Sequence, residues 1–406
     1  MNVLTIAIKN LQANKLNAFL NLLLVAFGIA ILTVLLSAGK QINDKLEKNA
    51  KDIDLVVGAK GSPLQLVLSS IYYIDFPTGN IPLSDAQALA ANPLVKRAVP
   101  LALGDNYSGY RIVGTDTSFV NLYGLTVAKG RFWQNTFEVT IGANVAAAQK
   151  LSIGSEFYGA HGLTGQSDVH KAHAYKVTGI LKPQNNVVDN LVLTNIASVW
   201  GMHETAEEHQ EKETHNPGEP EAFERGEKEI TTLLIQYRSP MSVVLFPRMV
   251  NQSTNMQAAS PAMESARLFS LIGIGVDTLQ WFAVLIMVIS GVSVFVSLYN
   301  SLKERRYDLA VMRTIGASRL NLFSLIVLEG AVLTLIGSII GLLFGHLTLQ
   351  LIGHFQASGQ ARLSGLIFDP AELYLIVTGL LIGFAAALLP ALQAYRTDIA
   401  GTLSEG

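Results

Sequence analysis

Four long apolar runs constrain this chain more than any other feature. They occupy residues 19–39, 279–298, 322–345 and 373–395. A bilayer core needs roughly 20 apolar residues of helix, at about 1.5 Å of rise each. Buried helices of soluble proteins rarely run this long with so little charge. Half of the 406 residues are hydrophobic and 15% are charged. That is too oily for an ordinary soluble protein and too charged for membrane helices alone. The chain is therefore expected to be an integral membrane α-helical protein with four spans in a 1+3 arrangement. A large α+β extracytoplasmic domain is expected between spans one and two. The first run is too long for the apolar region of a signal peptide, so it is expected to be retained.

Basic residues predict the orientation. Lys9 and Lys15 precede the first run, and Arg396 follows the fourth. Lys303, Arg305, Arg306, Arg313 and Arg319 crowd the short connection between the second and third. The connection 352–369 holds only Arg362. Both termini are expected in the cytoplasm. The layout is an amphipathic interfacial helix (1–15), spans at 16–39, 277–302, 322–351 and 372–395, and an outer domain with a stalk at 40–276. A cytoplasmic helix (303–321), an outer loop (352–371) and a cytoplasmic tail (396–406) complete it.

The interfacial helix is read from Leu4, Ile8 and Leu11, which share one helical face. In the outer domain, strands are expected at 110–116, 137–143, 174–181, 189–196 and 231–238. Helices are expected at 83–92, opened by Ser84 as N-cap, and at 144–151. Residues 256–276 read as a helical stalk entering the second span. Within the bilayer, Gly337, Gly341 and Gly345 recur every four residues, as do Gly379, Gly383 and Ala387. Small residues at this spacing let helix backbones approach closely, within one subunit or across a dimer.

The chemistry is mostly negative. There is no cysteine and the formal net charge is -2, so nothing supports a thiolate site or nucleic-acid binding. No G-x-x-x-x-G-K-[ST], H-E-x-x-H or G-x-S-x-G occurs. The chain is read as non-enzymatic and binds no cofactor of its own. Glu329, alone among the acids, lies well inside a span. An acid there is a functional candidate, but its place near the interface favours structural pairing or snorkelling. His170, His173, His203, His209 and His215 lie in the outer domain, the last three among many glutamates. Imidazole and carboxylate suit zinc, but the spacing matches no tight metal motif. The stretch 203–229 reads as a solvated, mobile loop, with weak zinc binding as the competing reading.

The connection between the second and third runs carries a recognisable pattern. Ser-Leu-Lys-Glu-Arg-Arg-Tyr-Asp-Leu-Ala-Val-Met-Arg-Thr-Ile-Gly-Ala-Ser, residues 301–318, resembles the E-R-x-x-E-I-(G/A)-x-x-R-x-(I/L)-G-A signature of MacB/FtsX-like ABC permeases. Glu304, Arg305, Asp308, Leu309, Ala310, Arg313, Ile315, Gly316 and Ala317 fall on its positions. The ending P-A-L-Q-A-Y-R-T-D-I-A-G-T-L (390–403) is similar to the family's, with Ile399 in place of a proline. Residues 177–200 resemble the family's V-x-G-(V/I)-L…D strand pair.

The resemblance implies a membrane subunit that pairs with a second permease chain, as a homodimer, and with two cytosolic ATPase subunits that hold ATP and magnesium. ATP binding would move the outer domain, driving export or extraction of a lipoprotein, peptide or small toxic molecule. A periplasmic or outer-membrane partner would fit the same plan. Physically, a short helix from Glu304 with Leu309, Met312 and Ile315 as apolar anchors and Asp308 and Arg313 as orienting charges suits a groove on a partner. Gly316 suits its left-handed end. The alternative is a signalling or regulatory subunit that senses a periplasmic ligand such as a metal ion, or activates a periplasmic partner.

Overall fold

The computed structural model describes residues 3–161, 173–202, 228–355 and 363–396. They form two compact units. One comprises the residues up to Ile42 and those from Ile272 onward; the other is Asn43–Leu271.

The first unit is a helical bundle. Four helices contain segments long and apolar enough to cross a membrane: Lys15–Asn49, Pro261–Glu304, Arg319–Phe355 and Glu372–Tyr395. We call them the first to fourth membrane helices. Two short helices, Val3–Ala13 and Arg306–Thr314, complete the unit. Lipid tails are as apolar as leucine, so close packing rather than water exclusion must hold such helices together. The third helix does this with both glycine stripes. A Cβ on Gly341 would lie 2.6 Å from the Ala26 carbonyl oxygen and 2.7 Å from Ile29 Cβ. Gly337 meets Val25 and Gly345 meets Thr33 in the same way. On the fourth helix, Gly379 faces Ser338 and Gly383 faces Thr334 of the third. Both stripes therefore serve contacts inside one chain. Two hydroxyls in these seams bond their own helix: Thr33 Oγ1 to Ile29 O at 2.8 Å, Thr334 Oγ1 to Gly330 O at 3.0 Å.

The helix Val3–Ala13 packs on the bundle by another side than that of Leu4 and Ile8. Ala7 is fully buried, and Val3, Ile6 and Leu11 pack beside it against the bundle core. Leu4 and Ile8 point outward.

The second unit contains a mixed sheet. Its strands are β1 (Leu55–Ala59), β2 (Ile81–Pro82), β3 (Val95–Tyr107), β4 (Tyr110–Thr115), β5 (Val127–Gly130), β6 (Glu138–Ile141), β7 (Glu156–Phe157), β8 (Ala160–His161), β9 (Tyr175–Leu181), β10 (Leu191–Asn195), β11 (Glu229–Ile230), β12 (Thr232–Tyr237) and β13 (Met256–Ala259). The main order is β13-β1-β12-β3-β4-β10-β6-β9-β5. Its β4–β10 and β6–β9 pairs are parallel and its other six neighbouring pairs antiparallel. Period-two alternation feeds two cores. Val56 and Leu234 join one, with Leu101, Val113 and Phe119. Leu55, Val57, Leu233 and Ile235 join the other, with Phe246 and Val250. Central strands buried on both faces read as unbroken apolar runs.

Three sequence expectations change here. Residues 256–259 form strand β13, and the helix begins only at Pro261, where a missing N–H costs nothing. Ser84 lies inside the helix Leu83–Ala90, whose N-cap position is Pro82. The strands β9 and β10 of the motif at 177–200 are not paired with each other, because β6 lies between them.

Asn49 and Ser265, near the ends of two of the long helices, belong to this unit. Asn49, the last residue of the first, accepts the Val187 N–H on Oδ1 at 2.8 Å and the Tyr123 hydroxyl on its carbonyl at 3.1 Å. The Tyr72 hydroxyl lies 2.9 Å from Ser265 Oγ, in the first turns of the second membrane helix.

Candidate functional site

The second membrane helix ends at Glu304, and Arg306–Thr314 begins a new helix after a break at Arg305, whose φ is -107° and ψ 15°. Its far end closes in a Schellman cap. Gly316 has φ +109°, its N–H donates to Arg313 O at 3.0 Å, and the Ala317 N–H donates to Met312 O at 3.0 Å. Only glycine adopts this backbone readily. The two stops make a rigid helix of nine residues.

This helix has two sides. Leu309 and Ala310 are buried in the bundle core, and Met312 packs against it. Glu304, Arg306, Tyr307, Asp308, Ile315 and Gly316 are exposed. Leu309 and Met312, expected to anchor a partner, are thus engaged by this chain itself. The exposed apolar groups are Tyr307 and Ile315, at 53% and 80%. The periodicity was real, but nothing in it distinguishes the chain's own core from a partner. Arg313 is half-buried, and its Nε has no hydrogen-bond partner in the structure.

Arg305 turns inward. Its Nη2 donates to the Asn10 carbonyl at 3.1 Å, and its Nη1 lies 3.9 Å from Glu329 Oε1. Asn10 Nδ2 donates to that same oxygen at 2.6 Å. Glu329 is 2% exposed. The guanidinium and the amide together offset the cost of burying the carboxylate. One node therefore ties the Val3–Ala13 helix, the break at Arg305 and the third membrane helix. Arg319, at the start of that helix, sits 5.9 Å over the Tyr395 ring at the end of the fourth.

His173 stacks on Phe137 at 4.5 Å. His170, His203, His209 and His215 lie outside the described residues. Among the described residues no three metal-ligating side chains cluster. Sequence reasoning passed over Asn10, a neutral residue distant in sequence from its partner. It also passed over His346 and Glu372, which sit at the edges of apolar runs and could have been found as ionisable residues at span ends.

Fold and site define a multi-span membrane protein whose extracytoplasmic domain lies between its first and second spans. Residues 18–244 match the MacB-like periplasmic core domain, and residues 281–399 match the FtsX-like permease C-terminal domain. The first match alone covers more than half of the chain, which belongs to the MacB/FtsX-like family of ABC transporter permeases. The macrolide export ATP-binding/permease protein MacB of Bordetella avium is 23% identical, over 97% of this chain and 59% of that protein. Its namesake from Neisseria meningitidis (strain Z2491) is 20% identical, over 98% of this chain and 60% of that protein. The chain spans about three fifths of the length of these relatives. The periplasmic region of MacB from Actinobacillus actinomycetemcomitans aligns with a TM-score of 0.33 and 10% identity, covering 55% of this chain and 97% of that one.

Proposed function

We propose that this chain transmits work across the membrane. ATP binding and hydrolysis on a separate cytosolic ABC ATPase tilt the helix Arg306–Thr314, and the tilt reaches the outer domain. Both termini and this helix are cytoplasmic, following the basic residues that flank the spans. The observation that carries the reading is the two-sided helix. Its inner side is locked into the bundle through Leu309, Ala310 and the Arg305–Glu329–Asn10 node. Its outer side offers Tyr307 and Ile315 as apolar contacts and Asp308 as a charge. Arg313, half-buried, adds a cation. A loop that merely satisfied the positive-inside rule would need none of this.

The hydrogen bonds of Asn49 and Ser265 within the outer domain support the other end of the path. Two permease chains and two ATPases form the working unit. The macrolide-export names of the relatives favour a small toxic molecule as cargo, with peptide or lipoprotein extraction built on the same plan. Asp308→Lys combined with Arg313→Glu tests the docking. Membrane insertion should persist while co-purification of the ATPase is lost; undiminished recovery would end the proposal.

A further inference from the structure

A small cavity opens beside the Arg305–Glu329–Asn10 node. It holds about 20 Å³, room for one water-sized group. Glu329 lines it from the third membrane helix, Ser297 and Ser301 from the second, and Asn10 and Asn14 from the chain ahead of the first. Apolar side chains, Leu298 and Leu333 among them, complete the wall.

The polar part of this wall has hydrogen-bonding capacity to spare. Glu329 is 2% exposed, and its Oε1 accepts the Asn10 amide at 2.6 Å. The Arg305 guanidinium is 3.9 Å from that oxygen, beyond hydrogen-bond reach. Among the described residues nothing bonds Glu329 Oε2, nor the side chains of Asn14, Ser297 and Ser301. Hydroxyls elsewhere in the long helices turn back onto their own carbonyls, as at Thr33, Thr278, Thr348 and Thr378. Ser297 and Ser301, one turn apart on one helix face, are left for the cavity.

A ligand for this cavity must be small and must donate. Glu329 Oε2, Asn14 Oδ1 and the two serine hydroxyls supply four acceptors. A primary ammonium brings three N–H donors and a positive charge, and its bonds to a carboxylate are stronger than those of water. A trimethylammonium group has no N–H and exceeds the space. Charges outside the cavity are of the opposite sign. Lys9 and Lys15 adjoin Asn10 and Asn14 in the chain and are exposed. Lys9 shares the helix Val3–Ala13 with Leu4 and Ile8, which point outward. A helix of this kind lies among lipid headgroups. A carboxylate within and lysines without match a headgroup with an ammonium at its tip and a phosphate behind it.

We propose that the cavity seats the ammonium of phosphatidylethanolamine, with the phosphate beside Lys9 and Lys15. Glu329 Oε2 and the two serines receive its N–H groups, while Oε1 stays bonded to Asn10. This inference concerns the bundle alone and does not rest on the ATPase reading.

Native mass spectrometry of the full chain, purified in detergent and titrated with defined lipids, tests the site. The wild type should retain dioleoyl phosphatidylethanolamine at concentrations about tenfold below those needed for dioleoyl phosphatidylcholine, whose headgroup cannot donate. Ser297→Ala combined with Ser301→Ala removes two acceptors. Neither hydroxyl bonds the rest of the chain, so the bundle should stay intact while the preference is lost. Excess free ethanolamine should leave the lipid adduct in place, because it carries no phosphate for the lysines. Equal retention of the two lipids by the wild type would overturn the proposal and leave the cavity to water. So would an unchanged preference in the double serine variant, or displacement of the lipid by ethanolamine.

Discussion

The Asn10 side chain donates a 2.6 Å hydrogen bond to the Glu329 carboxylate across 319 positions of sequence, and Arg305 meets both residues. A buried carboxylate with these two partners is a structural tie. Glu329→Leu would leave the Arg305 guanidinium without its acid. It should destabilise the bundle by roughly 1–3 kcal/mol, the cost of leaving a buried donor or charge unsatisfied. Asn10→Ala should cost less, since Arg305 still faces the carboxylate. Thermal unfolding in detergent with Leu309→Ala as a reference checks the order; an unchanged Glu329→Leu protein would mean the tie is idle.

The glycines of the membrane helices should divide sharply. At Gly341 a Cβ meets Ala26 O and Ile29 Cβ at 2.6 and 2.7 Å, whereas at Gly275 it meets nothing within 4 Å. Gly341→Ala should force the first and third helices apart and lower the melting temperature by several degrees. Gly275→Ala should be neutral or stabilising by up to ~1 kcal/mol, from helix propensity. Equal effects at the two sites would contradict the packing described.

Leu309 and Ile315 lie six positions apart on one short segment, yet one is buried and the other is 80% exposed. Leu309→Ala should destabilise the chain by about 2–4 kcal/mol, in the range for buried leucine truncations. Ile315→Ala should leave stability within about 0.5 kcal/mol and weaken ATPase association instead. Measuring both quantities for both variants separates packing from docking.

In the outer domain, Arg131 makes two 2.7 Å hydrogen bonds to Glu138, which also accepts the Gln134 and Asn135 N–H groups. The guanidinium, chiefly, holds the Glu138 carboxyl well below the usual glutamate range. A depressed acid adds stability that is fully present above its unfolded value, about 4.3, and is lost as pH falls through the folded value. Glu138→Gln should therefore melt earlier than the wild type at pH 7. The gap should begin to close as pH drops below about 4, the region where the unfolded glutamate takes up its proton.

The spans were legible because the length of an apolar run is a physical requirement of the bilayer. So were β4, β6, β9, β10 and β12, whose alternating or apolar runs sit between turn residues. The short strand β13 was lost in a stretch that also reads as helix. Glycine spacing announced close contact but could not name the partner, which proved to be Val25, Ala26, Ile29 and Thr33 of the same chain. The signature at 301–318 located the candidate site. Its inner and outer faces were beyond reach, because burial of Arg305 and Leu309 depends on Asn10 and Glu329, distant residues that no local pattern links to them.

The central claim is that the helix Arg306–Thr314 conveys ATP-driven motion to the outer domain. The chain has no cysteine, so Val244→Cys, at an exposed outer-domain position, accepts a single environment-sensitive fluorophore. The purified complex with its ATPase is reconstituted in nanodiscs, and emission is followed on adding ATP and magnesium. With the native helix the signal should shift; with Asp308→Arg and Ile315→Glu together it should stay flat. No shift in the native complex, or the same shift in the variant, would contradict the account.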